Sequence, residues 1–233
     1  MGYNLSIVLL PLGLLFVSNV VNMLAGTNGL SAGMSFIAAT GLGTFAILNG
    51  KIEAALIAFG LAGALLGFLK YNWYPASILP GDSMTYLCGA GLFSAMVIGN
   101  MEKFGVFIFL PWFLEFFLKL RSGFRAHSWG TLEKGKLKPQ HRKNYSLTHP
   151  LMRRGLTEKQ ITLVLISLEV FIVILALFIF QLGCFNLQLV FLYCKDLQLY
   201  SDRLDHKGTI SQVLLQQCFQ HSVSGVFLPT EAL

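Results

Sequence analysis

Ser18–Gly33, SNVVNMLAGTNGLSAG, closes one apolar run and opens another, yet it carries three asparagines, Asn19, Asn22 and Asn28. Gly26, Gly29 and Gly33 permit tight turns and close backbone approach to a ligand. Asn19 and Asn22 are three apart, so on a helix they share one face. Asn28-Gly29 then reads as the turn that ends that helix. Amides at the mouth of a membrane helix are costly unless something satisfies them. The spacing fits two readings, a polar site or a plain helix stop between two spans.

The apolar runs on either side decide the class. Of 233 residues, 55% are hydrophobic and only 12% charged, with a mean hydropathy of +0.65, far from the balance of a soluble domain. Runs of bilayer length recur at Tyr3–Leu24, Ala32–Leu48, Ile52–Leu69, Ser83–Ile98, Phe104–Leu118 and Ile161–Phe180. The expected fold is therefore all-α, a polytopic membrane helix bundle of about six transmembrane helices, with a basic loop between the fifth and sixth. Pro11 and Gly13 mark a kink in the first run, and Pro111 and Glu115 lie in the fifth. Glu169, inside the sixth, is expected to be buried and paired inward. Small residues in the second and third runs suit close helix packing. The expected division is a transmembrane domain over 1–182, with its basic loop at 119–159, and a tail over 183–233 to which no function is assigned.

Charge fixes the orientation. Eleven basic residues from Lys119 to Lys159 face only Glu133 and Glu158, a cytoplasmic loop by the positive-inside rule. Six alternating spans then put Gly26–Leu30 and Lys70–Asp82 on that same side, so the polar peculiarities of the chain converge there. Anionic headgroups or a phosphorylated substrate could use the loop's charge. Nucleic acid is excluded as a partner, because the basic stretch is a short loop between spans. Cys88, Cys184, Cys194 and Cys218 form neither a metal-binding nor a disulfide spacing. The first run is too long for a cleavable signal, and a polar motif stands where small cleavage-site residues would.

Two further motifs carry candidate chemistry. Asp82 follows Pro80-Gly81 at the start of a span. Its carboxylate either caps the helix or serves as an oxygen ligand for Mg²⁺, which takes one or two carboxylates and fills its remaining positions with phosphates and water. His141-Arg142 in the basic loop offers donors to pyrophosphate oxygens, or is simply solvated. No phosphate-binding Gly-rich Lys-Ser/Thr loop is present in the sequence.

Asn19-Val-Val-Asn22-Met-Leu-Ala-Gly26-Thr-Asn28-Gly29-Leu30, then Pro80-Gly81-Asp82, then His141-Arg142, resemble the polyprenyl-phosphate N-acetylhexosamine-1-phosphate transferase family. The similarity is closest to the UDP-N-acetylglucosamine–dolichyl-phosphate N-acetylglucosamine-1-phosphate transferase branch and covers roughly Leu14–Phe180, the C-terminal part of the family pattern. Lys70-Tyr-Asn-Trp-Tyr-Pro75 fits that branch as well. Ser31, Leu79 and Gln140 depart from the family's usual Glu, aromatic and Arg, and the family's early Asp-Asp pair has no counterpart in this sequence.

The resemblance implies transfer of N-acetylglucosamine-1-phosphate from UDP-N-acetylglucosamine to dolichyl or polyprenyl phosphate, releasing UMP. That reaction is the first step of lipid-linked oligosaccharide assembly for N-glycosylation. By position, Asn22 and Asp82 are then catalytic Mg²⁺ ligands, Asn28 and Gly29 contact the uracil, and Asn19 supports the site. His141 and Arg142 hold the pyrophosphate and sugar, while Gly26 and Gly81 let the backbone approach the nucleotide. The membrane is endoplasmic reticulum if the source is eukaryotic, or plasma membrane if archaeal, with the site cytoplasmic. Besides membrane lipids, the expected partners are a second copy or other membrane chains. A non-catalytic membrane subunit that binds nucleotide-sugar or other membrane proteins is the alternative, and a small-solute transporter is disfavoured because the polar groups lie at one face.

Overall fold

The computed structural model describes residues 3–133 and 135–204. Contacts divide the chain into two units, 1–178 and 179–233. Among the described residues there are eight helices and one two-stranded sheet: α1 (Tyr3–Met23), α2 (Leu30–Leu48), α3 (Ile52–Asn72), α4 (Asp82–Ile98), α5 (Glu102–Ile108), α6 (Leu110–Leu120), β1 (Gly130–Glu133), β2 (Lys136–Pro139), α7 (Thr148–Arg153) and α8 (Glu158–Leu204).

Three stretches are long and apolar enough to cross a membrane: Leu30–Leu48, Ile52–Asn72 and Glu158–Gln181. Val8–Met23 and Asp82–Ile98 are shorter apolar helices. The chain is a membrane protein. Burial sorts the three long stretches, since 72% of the α2 window is buried against 28% in α3 and 22% in α8. α2 is thus the central helix, and the others turn side chains such as Leu56, Phe171 and Phe178 outward.

Helix α2 packs on α3, α1 on α4, and α3 on α4. Small residues set the closest approaches. A Cβ on Gly89 would stand 2.4 Å from Ser18 Cα, so α1 and α4 touch backbone to backbone. On α2, Gly33 and Gly41 receive Ile166 and Val173 of α8. At the bundle's other end, Lys51 donates to the carbonyls of Gly99 and Asn100, which close α4, and Phe45 stacks on Phe104 with centroids 4.2 Å apart.

Four features differ from the sequence reading. The run Phe104–Leu118 is not one helix but α5 and α6, broken at Phe109. Pro111 lacks an N–H and its ring would clash with the carbonyl four residues back, so it is accommodated in the first turn of a new helix. The basic loop holds an antiparallel hairpin, with Gly130 opposite Pro139 and Glu133 opposite Lys136, so the described chain is not all-α. The sixth expected span lies in α8, which continues past Gly183 to Leu204, while 205–233 of the expected tail lie outside the described residues. Glu169 is fully buried as expected, but neither carboxylate oxygen has a hydrogen-bond partner among the described residues. Its buried neighbours along α8 are the apolar Leu165, Val173 and Ala176.

The backbone contact at Ser18 and Gly89 makes a test. Gly89→Val should lower the thermal midpoint in detergent, at a cost of about 1–3 kcal/mol or more for overpacking. Gly63→Ala, on α3 with nothing within 4 Å of an added Cβ, should leave the midpoint unchanged or raise it.

Candidate active site

The close approach of α1 and α4 sets a register. One turn on from Ser18 and one turn back from Gly89, Asn22 meets Thr85, whose hydroxyl donates to Asn22 Oδ1 at 2.7 Å. The same hydroxyl lies 3.0 Å from the carbonyl of Asp82, the first residue of α4. Asn22 and the start of α4 are therefore joined through one buried threonine. The N-cap of α4 is Gly81, which makes no side-chain cap bond, and Asp82 is the acidic residue of the first turn. That carboxylate is exposed at a helix N-terminus, where the dipole favours negative charge. Asn19 is exposed and donates to Leu15 of its own helix at 2.7 Å, so no bond ties it to Asn22.

Beyond Met23 the chain turns through Gly26 and Asn28-Gly29. Gly29 has φ +76 and a Cβ there would also stand 2.9 Å from the Trp73 ring, so glycine is required twice over. The turn's backbone finds its partners far along the chain. Gly29 N–H donates to Asn72 Oδ1 at 3.2 Å, and Asn28 N–H donates to Glu158 Oε1 at 2.8 Å. The Thr162 hydroxyl donates to the Asn28 carbonyl at 3.0 Å and lies 2.8 Å from Thr27 Oγ1. Asn72, fully buried, also donates to the Ile78 carbonyl at 2.9 Å and so ties the turn to the segment leading to Gly81 and Asp82. The Asn28 side-chain amide has no partner among the described residues.

The loop between α6 and α8 docks onto the same end. A Cβ on Gly26 would stand 2.9 Å from the Ser128 backbone, and Ser128 Oγ lies 3.0 Å from the Met23 carbonyl. Ser128 is held in turn by Thr148, whose hydroxyl donates to its carbonyl at 2.6 Å. Within the loop, Arg153 donates to the carbonyls of both His141 and Arg142 and to Asn144 Oδ1. The backbone of the His-Arg pair is thereby fixed. The Arg142 side chain is exposed, and His141 Nε2 is buried with no partner.

These contacts bring the asparagine stretch, the start of α4 and the His-Arg loop to one end of the bundle. No bond joins His141 or Arg142 directly to Asn22, Asp82 or Asn28 among the described residues. Thr85, Asn72, Glu158, Thr162 and Ser128, which hold the motifs in place, were not singled out from the sequence. Two had a local signal: Thr85 lies one helical turn after Asp82, and Asn72 lies within Lys70–Pro75. The Asn22 amide oxygen and the Asp82 carboxylate are each hard donors of the kind Mg²⁺ takes. Among the described residues no cluster of three His, Cys, Asp or Glu could hold a metal, so phosphate and water oxygens would have to complete such a shell.

Residues 1–100 match the profile of glycosyl transferase family 4. Over 183 residues the chain is 36% identical to a protein of Sulfolobus acidocaldarius assigned as a UDP-N-acetylglucosamine–dolichyl-phosphate N-acetylglucosaminephosphotransferase, covering 77% of this chain and 56% of that one. A protein of Saccharolobus solfataricus with the same assignment is 34% identical over 173 residues, 73% of this chain and 54% of that one. A phospho-N-acetylmuramoyl-pentapeptide-transferase of Prochlorococcus marinus is 42% identical over 103 residues, 42% of this chain and 29% of that one. The chain spans about half the length of the first two relatives.

One group makes the docked loop sensitive to pH. His149 is fully buried, with Nδ1 accepting from Tyr145 N–H at 3.2 Å and Nε2 3.0 Å from the His127 carbonyl. Burial pushes its pKa down, the His127 carbonyl opposes this, and the nearby His141 and Lys119 add to the depression. The undocked loop therefore binds a proton that the docked loop refuses, so docking is fully present at neutral pH and is lost as pH falls through and below the ordinary histidine value of about 6.5. Hydrogen exchange across 127–149, corrected for intrinsic rates, should accelerate below that pH. In His149→Gln the pH dependence should flatten.

Proposed function

Because residues 1–100 match the glycosyl transferase family 4 profile, we propose that this chain supplies the nucleotide and metal face of a glycosyl-1-phosphate transferase acting on a polyprenyl phosphate. The donor proposed is UDP-N-acetylglucosamine and the acceptor dolichyl or polyprenyl phosphate, following the names of the two relatives. The observation that carries the reading is the Thr85–Asn22 hydrogen bond, which seats the Asn22 amide at the start of α4, whose first residue is Asp82, beside a glycine-lined turn.

In the proposed reaction an oxygen of the lipid phosphate attacks the sugar-bearing phosphorus and UMP leaves. Such displacements need alignment and charge neutralisation more than covalent chemistry from the protein. Asn22 and Asp82 would hold Mg²⁺, which when bound neutralises the pyrophosphate oxygens. Thr85 fixes the Asn22 amide so that its oxygen keeps one orientation. The unpartnered Asn28 amide and the tightly turned Gly29 meet the uracil. Arg142, whose side chain is exposed, and His141 are the proposed donors to the pyrophosphate and sugar. The reading includes about six membrane crossings, the fifth made of α5 and α6, with the site on the cytoplasmic side. A nucleotide-sugar-binding subunit without turnover is the second reading, favoured by Asp82 being the single carboxylate at the start of α4 among the described residues.

The test is transfer of radiolabelled N-acetylglucosamine-1-phosphate to dolichyl phosphate by the chain in nanodiscs with Mg²⁺, alongside UDP-N-acetylglucosamine binding. Asp82→Asn and Asn22→Ala should each lower transfer by about 10²-fold or more, the scale expected when a group stabilising transition-state charge is lost. Thr85→Val should lower it by about tenfold, the scale of one hydrogen bond. Binding without transfer would favour the second reading, and absence of both would overturn the two together.

A further inference from the structure

Glu115 is fully buried on α6, on a stripe with Pro111, Trp112 and Lys119. Its two oxygens divide their work between the two flanks of the docked loop. Oε1 is 3.1 Å from Ser128 Oγ, at the loop's entry. Oε2 accepts from Ser146 Oγ at 3.1 Å and from Leu147 N–H at 2.7 Å, at its exit. The segment between these flanks contains the hairpin, His141 and Arg142, so one carboxylate closes it like a clasp.

The clasp reaches the other motif as well. Ser128 Oγ lies 3.0 Å from the carbonyl of Met23, the residue after Asn22. A single line of contacts therefore runs from the end of α1 through Ser128 and Glu115 to Leu147. Lys119, one turn along α6, stands 3.9 Å from Oε1 and donates to the Ala126 carbonyl at 2.9 Å, which steadies the approach to Ser128. The Leu147 N–H and the Ser146 hydroxyl both need an acceptor on the exit flank, while the single Ser128 proton is shared between Oε1 and the Met23 carbonyl. A glutamine that keeps its oxygen toward Leu147 would weaken those bonds by losing the charge, and would set an N–H₂ beside the Lys119 ammonium.

We propose that Glu115 is the positioning residue that sets His141 and Arg142 against the end of α1, and thereby determines how strongly the pyrophosphate of a nucleotide-sugar is held. This deepens the function proposed above and rests on it for the identity of the ligand. A purely structural glutamate would affect every ligand alike. A positioning one should affect only the part of the ligand that the loop touches.

The experiment compares binding of UDP-N-acetylglucosamine and of UMP to wild-type chain, Glu115→Gln and Ser146→Ala in nanodiscs, with hydrogen exchange measured on each. In Glu115→Gln the affinity for UDP-N-acetylglucosamine should fall by about tenfold, the scale of one lost buried hydrogen bond, while that for UMP stays within about twofold. Exchange should rise across 126–149 and stay unchanged in α2 and α3. Ser146→Ala should shift both readouts in the same direction by less, and it decides the question if the glutamine variant does not fold. Equal weakening of both nucleotides with faster exchange in α2 and α3 would overturn the proposal, as would an unchanged affinity ratio with a protected loop. If wild-type chain binds neither nucleotide, the functional reading fails while the loop exchange still decides the clasp: lost protection in both variants supports it, and retained protection overturns it.

Discussion

The contact between Ser18 and Gly89 is the constraint from which the site follows. With no side chain between them, α1 and α4 lie close enough that their register cannot slide by a residue without a collision. That register places Asn22 against Thr85 one turn along and brings the first residue of α4, Asp82, to the same level. The chemistry-bearing groups then owe their positions to helix geometry rather than to a flexible loop.

A second demand follows from the surroundings. A turn at the end of a membrane bundle exposes backbone groups where water is scarce, and each must be satisfied from within the protein. The Thr27–Gly29 turn meets that demand with Asn72 from α3 and with Glu158 and Thr162 from α8. The docked loop does so with Thr148, Ser146 and Glu115. Polar residues that look incidental in the sequence are the complements of particular N–H and C=O groups.

Much of this architecture was legible in the sequence because apolar length and small residues report directly on spans and their packing. Counting six alternating spans implies that the asparagine turn, the Pro-Gly-Asp start and the His-Arg loop share one end; the contacts of Asn22 with Thr85, of Gly26 with Ser128 and of Asn28 with Glu158 join the turn to α4, the loop and α8. The break at Phe109 has no separate signal, because a proline in an apolar run reads equally as a kink inside one helix or as the first turn of the next. The hairpin was hidden by its charge: Thr131, Glu133, Lys136 and Lys138 are exposed, so its strands lack the apolar alternation that marks a half-buried pair. Glu169 shows the opposite failure. Burial was foreseeable from the run around it, but no periodicity reveals whether a partner lies across the bundle.

The partners of the Thr27–Gly29 turn carry a consequence for biosynthesis. Glu158 and Thr162 lie 130 and more residues downstream of the groups they bind. At about 5–20 residues per second, a ribosome needs on the order of ten seconds to produce them after the turn itself has emerged. Throughout that interval Asn72 can already meet the Gly29 amide, yet the Asn28 amide must be solvated by water or by the insertion machinery. The site is thus assembled last, when α8 arrives, and a nascent chain halted before Glu158 would hold the motif without its shape.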